Sequence, residues 1–161
     1  MTDITMIFKP TDPQKDPLPD VLDLAKDFEA NDWTISEAFM GLILSAAFSD
    51  GNMGPEEREE IGVLIKRSRT MKRLSPNDLH AVNQTVAAKL KERDNAVEEA
   101  CQALPLEMRT SVFAHCVDII LLDGMLHPSE ATFLNDIAKY MGLDAELGQN
   151  IMSVLMLKNR F

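Results

Sequence analysis

Cysteine is scarce: Cys101 and Cys116 are the only two in 161 residues. Two thiols cannot build a disulfide framework, and these two lack metal-ligand spacing. Basic charge is also short. Sixteen Lys and Arg face 26 Asp and Glu, for a net charge of −10. Wrapping a nucleic acid needs a net basic face, so no nucleic-acid partner is expected. No apolar run approaches the ~18 residues that cross a bilayer. The opening MTDITMIFKPTDPQKD has no basic start followed by a long apolar core, unlike a secretory signal. There is no Walker phosphate loop, no dinucleotide fingerprint and no G-x-S-x-G elbow. These absences predict a reduced, cytoplasmic protein that is not an enzyme.

At 45% apolar and 26% charged, the chain has an ordinary globular composition. One domain of this length buries roughly 70% of its unfolded surface. Pro10, Pro13, Pro17 and Pro19 stand among polar neighbours, so residues 1–19 are expected to form a flexible proline-rich arm. Residues 20–161 then form a single helical domain. Val21, Leu24, Ala25 and Phe28 make a short stripe. Thr34 and Glu37 have the spacing of a capping box. Ile35, Ala38, Phe39, Leu42, Ile43 and Ala46 follow at helical spacing. Gly51 stops that helix and Pro55 starts the next. Ser75-Pro76 starts another, through Leu79, Val82, Val86 and Leu90. Further helices are expected near 94–103, 106–122, 128–141 and 145–157. With seven glycines and few β-branched runs, the fold class is all-α, a helical bundle of αα-hairpins.

The chain repeats itself. AAFSDGNMGPEEREEIGVL at 46–64 matches IILLDGMLHPSEATFLNDI at 119–137, an offset of 73 residues. Each copy reads D-G-x-x-x-P-x-E. Two related hairpins packed about a pseudo-twofold axis are the simplest outcome. Glycine after a helix suits φ > 0, proline suits a first helical turn, and Glu57 and Glu130 suit the N-terminal dipole.

The aspartates fit that scheme less well. Asp50 and Asp123 continue the apolar stripes of their helices and sit at C-termini, where a carboxylate costs roughly 0.3–1 kcal/mol. Glu57 and Glu130 precede Ile61 and Leu134 by four. Each turn is therefore expected to aim one Asp and one Glu into the seam of its hairpin. Paired carboxylates repel unless something intervenes. Three remedies remain open: capping of free N–H groups, a nearby cation such as Arg58 or Lys139, or a bound Ca²⁺ or Mg²⁺. The loop is not an EF-hand, because its glycine follows the aspartate at once.

SDG at 49–51 with Glu56 and Glu57, LDG at 122–124 with Glu130, and the tail IAKYMGLD at 137–144 together resemble the TerB-like family of tellurite-resistance proteins. The likeness spans roughly residues 36–147. It implies an all-helical cytoplasmic domain tied to tellurite resistance and wider chemical stress. It implies partner proteins of the stress-response system, working near the membrane. It also implies a divalent cation, Ca or Mg before Zn, at Asp50, Glu57, Asp123 and Glu130. The second copy departs from the pattern, with Ser129 where the first has Glu56.

Other residues have plainer explanations. His115 and Asp118 sit at i and i+3, but no second pair completes a zinc set. Cys116 lies on an apolar stripe as a small hydrophobe. His127 precedes Pro128 and reads first as a cap or an exposed side chain, and second as a ligand for the second acidic turn. Lys66, Arg67, Arg69, Lys72 and Arg73 form the one dense basic run, read as a solvated loop or as a surface for an acidic partner, anionic lipid or RNA. No aromatics interleave with it, which weakens RNA. The C-terminal helix, with Met152, Leu155, Met156 and Leu157, reads first as core and second as a homodimer face.

Overall fold

A computed structural model describes residues 31–161; the proline-rich stretch over 1–19 and the stripe over 21–28 lie outside them. Seven α-helices and no strand occur among the described residues. They are α1 (Ile35–Ala47), α2 (Pro55–Arg67), α3 (Pro76–Glu92), α4 (Ala96–Ala103), α5 (Leu106–Ile120), α6 (Pro128–Met141) and α7 (Ala145–Lys158). A 3-10 turn, Leu121–Asp123, closes α5.

The helix starts follow their local chemistry. The Thr34 hydroxyl accepts from the Glu37 N–H at 3.1 Å, and Glu37 Oε1 accepts from the Thr34 N–H at 3.2 Å. That is the reciprocal capping box its spacing predicts. Ser75 Oγ accepts from the Asp78 N–H at 3.1 Å. Pro55, Pro76 and Pro128 occupy first-turn positions, where a missing N–H costs nothing. The α4 helix starts two residues later than its sequence signal.

α1 is the central helix. It buries Ala38, Phe39, Met40, Leu42, Ile43, Ala46 and Ala47, residues on all its sides. A helix apolar all round belongs in the middle of a bundle. α3, α4 and α5 pack around it. Each fully buried Leu, Ile or Phe there contributes about 1.5–3 kcal/mol. Gly41 lets Trp33 approach this helix closely, since a Cβ there would stand 3.0 Å from Trp33 Cζ3.

The repeat is visible in space, but its two halves are unequal. The Cys116 thiol donates to the Leu42 carbonyl at 3.6 Å, joining positions 74 apart. That nearly equals the sequence offset of 73. α1 and α5 are thus matched helices lying side by side. Their partners differ. α6 buries Leu134, Ile137 and Met141 against α4 and α5, whereas α2 buries Ile61 alone. Arg109 ties the second half together, donating to the Leu104 carbonyl at 3.0 Å and the Met141 carbonyl at 3.1 Å. It thereby serves two helix C-termini, where free carbonyls need donors.

α7 packs on α5 through Ile151, Met152 and Leu155, and leaves Val154, Met156 and Leu157 exposed. Among the described residues, no helix is long and apolar enough to cross a membrane.

Candidate acidic-turn site

Both D-G turns emerge at the same end of the bundle, so the matched helices α1 and α5 run the same way. A depression of about 380 Å³ holds Asp50, Asn52, Glu56 and Glu57 from the first turn and Leu122 from the second.

The placement of Asp50 corrects the sequence expectation. α1 ends at Ala47, and Asp50 is exposed on the turn beyond it, not aimed into the hairpin seam. The cause lies in the backbone. Ser49 N–H bonds to the Ala46 carbonyl and Gly51 N–H to the Phe48 carbonyl, both three residues back. This 3-10 tightening rotates the chain off the helical register. Asp50 Oδ1 accepts from the Asn52 N–H at 3.1 Å, an Asx turn that lets Gly51 adopt φ +96°. The second turn tightens likewise, with Gly124 at φ +77°. Asp123 ends that 3-10 turn, and its side chain lies outside what the structure describes.

The glutamates do turn inward, and each accepts a backbone hydrogen bond. Glu57 Oε2 accepts from the Gly54 N–H at 2.6 Å, and Glu130 Oε1 accepts from the His127 N–H at 2.9 Å. Both are N3 residues reaching back over the helix start. Glu130 is 2% exposed and Glu57 half-buried. His127 Nε2 lies 3.9 Å from Glu130 Oε1. Arg58 and Lys139 are exposed and form no ion pair among the described residues. Backbone N–H groups therefore answer the carboxylates here. No three His, Cys, Asp or Glu side chains converge as a metal-binding group among the described residues.

The other candidates separate. Asp118 is bound by Lys158 Nζ at 2.7 and 2.9 Å and by Asn159 Nδ2 at 2.8 Å, so it clamps the end of α7. Burial pushes its carboxyl up, but these hydrogen bonds outweigh that and hold it below the usual range. His115 stacks obliquely on Phe39 at 5.8 Å, and burial lowers its imidazole against the pull of Asp118. Burial pushes the Cys101 thiol up to about 12 and raises Cys116 further. Neither is a thiolate at neutral pH, so neither is an activated nucleophile.

A polar knot at the opposite end escaped the sequence reading. Lys89 Nζ donates to the Asp32 carbonyl at 2.7 Å and to Glu37 Oε1 at 2.9 Å, and lies 4.8 Å from the Trp33 ring centre. Arg93 forms a two-pronged pair with Asp32, both contacts at 2.7 Å, and a third contact to Glu99 at 3.2 Å. The signal was available: Lys89 falls three residues after Val86, on the apolar stripe of α3.

Comparison with curated proteins and with solved structures gave no match. The family model described as "Tellurite resistance protein TerB" matches residues 36–152. That match runs from the second residue of α1 into α7 and takes in both D-G turns. The chain belongs to the TerB family of tellurite-resistance proteins.

Proposed function

We propose that this chain is a non-enzymatic, cytoplasmic TerB domain of a tellurite and chemical-stress response, whose acidic turns hold a hard divalent cation and help dock partner proteins. The observation that carries this reading is the meeting of the two turns at one end of the bundle. Asp50, Glu56 and Glu57 share a depression there with Leu122 of the second turn. Asp50 and Glu57 each engage one oxygen with the backbone, leaving a second oxygen open among the described residues. Mg²⁺ and Ca²⁺ accept such sparse carboxylate sets when waters complete the shell. Asp123 and Glu130 belong to the same end through the second turn. Partner docking rests on family membership and on the exposed acids of this face.

A second reading, a structural domain whose acids only cap, is favoured by the hydrogen bonds to Gly54, His127 and Asn52. One experiment separates the two. Chelator-stripped full chain is melted with increasing Ca²⁺ or Mg²⁺, beside the Asp50→Asn/Glu57→Gln variant. A cation at a hundred times its Kd stabilises by about 2.7 kcal/mol, which raises Tm by roughly 5–10 °C at this size. The cation reading expects that saturable rise in the wild type and its loss in the variant. A wild type that no cation moves, beside a variant that simply melts lower, leaves the acids as caps.

A further inference from the structure

The turn between α2 and α3 sorts its residues by charge. From 66 to 73 every exposed residue is a cation: Lys66, Arg67, Arg69, Lys72 and Arg73. The residues between them face inward. Met71 is 1% exposed, and Ser68 and Thr70 are half-buried. Ser68 Oγ accepts from the N–H groups of Thr70 at 3.2 Å and Met71 at 3.3 Å, and the Ser68 carbonyl accepts from Lys72 N–H at 2.9 Å. The backbone is thus pinned to the core, and the cations fan outward from a fixed base.

Helix electrostatics explain only part of this. Lys66 and Arg67 sit in the last turn of α2, where the dipole favours them. Arg69 and Lys72 lie beyond it. Three cations elsewhere, Lys89, Arg93 and Lys158, are held by carboxylates. Lys66, Arg67, Arg69 and Lys72 have no such partner among the described residues, and no acid occurs from Ile61 to Asn77. In a chain with 26 acids, an unneutralised cluster is a focused positive field.

We propose that this turn is a docking surface for an anionic lipid bilayer, independent of what the acidic turns do. The surroundings select among polyanions. No Phe, Tyr or Trp occurs between Phe48 and Phe113, so a single-stranded nucleic acid finds no stacking platform. Protein interfaces centre on buried aromatic or apolar anchors and are poor in Lys. The exposed large apolar residues, from Phe48 and Leu106 to Phe161, all lie outside this turn. A charged bilayer needs neither feature. Each cation near it contributes about 1 kcal/mol, and the attraction fades within a Debye length. Glu60 stands about 9 Å along the α2 axis from Lys66, so the acidic half of that helix sits near the limit of this range.

The test is co-sedimentation of the full chain with phosphatidylcholine vesicles, with and without phosphatidylglycerol, at low and high salt. Binding is expected only with phosphatidylglycerol, and salt should abolish it. The Lys66→Gln/Arg69→Gln/Lys72→Gln variant should bind about a hundredfold more weakly, near fivefold per charge. The Arg58→Gln/Lys91→Gln/Lys139→Gln variant carries the same net charge at other exposed sites and should bind like wild type. Circular dichroism checks both folds. If the first variant unfolds, salt and vesicle composition still decide the matter on the wild type. No binding to anionic vesicles, equal binding to neutral ones, or equal losses in both variants would overturn the proposal. Preferential binding of poly-uridine over the vesicles would overturn it too.

Discussion

Replacing Lys89 by Met asks what the polar knot contributes to stability. The methionine keeps the unbranched stem that lies against Trp33, and removes only the charged end. Lys89 is 9% exposed, and its ammonium meets Glu37 Oε1 at 2.9 Å and the Asp32 carbonyl at 2.7 Å. The Glu37 side chain is 13% exposed. Removing the ammonium strands that carboxylate in a half-dry site, a loss of about 3–5 kcal/mol for a buried pair. The cation–π contact adds roughly 0.5–2 kcal/mol. Its distance to Asp32 Oδ2, 3.8 Å with that carboxylate mostly exposed, adds little. Two effects offset these. The Thr34 N–H still donates to Glu37, and a methionine gains from burial what an ammonium loses. The expected net is about 3 kcal/mol, or roughly 6–12 °C in Tm. Urea denaturation of Lys89→Met, Glu37→Gln and the double variant measures it. The double variant should lose clearly less than the two singles together, because the stranded charge is gone. A Lys89→Met loss below about 0.5 kcal/mol, the level of an ordinary surface change, would refute the reasoning.

Two further outcomes follow from the packing and from the titration of the core. Gly41→Ala gains about 1 kcal/mol of helix propensity but drives a Cβ to 3.0 Å from Trp33. Overpacking at about 1–3 kcal/mol should dominate, so the variant should melt lower and shift the emission of the single tryptophan. His115 folds with its imidazole held below the ordinary range by burial. The unfolded chain then binds the extra proton first, so stability should fall as pH drops below the unfolded value near 6.5. His115→Gln should flatten that slope in melts taken across pH 5 to 7, while an unchanged slope would place its origin elsewhere.

Much of the architecture was legible because its signals are local. Thr34 with Glu37, Ser75 with Pro76, and the prolines at 55 and 128 mark helix starts through groups no more than three residues apart. The repeat was legible because identical turn chemistry recurs at a fixed offset. The fate of Asp50 was not. Extending a helical stripe by four residues assumes that the helix continues, and the 3-10 tightening after Ala47 breaks that assumption. Glu57 and Glu130 do turn inward, because a carboxylate three residues into a helix reaches back to the helix start within one turn.

The unequal burial of the two halves was also out of reach of pattern. α2 and α6 carry comparable stripes, yet α6 meets α4 and α5 while α2 keeps one buried residue, Ile61. Sequence periodicity reports which face of a helix is apolar, and is silent on how many neighbours that face will find.

The sequence by itself determined the all-α class, most of the helix starts, the doubled acidic turn and the family, because each depends on residues within a few positions or on a recurring string. Only the tertiary structure decided that both turns share one end of the bundle. It also decided that Asp118 serves α7, and that Lys89 closes a knot with residues more than fifty positions away. Those contacts depend on the packing of α1 against α3, α4 and α5, and that packing is set by the summed burial of many side chains.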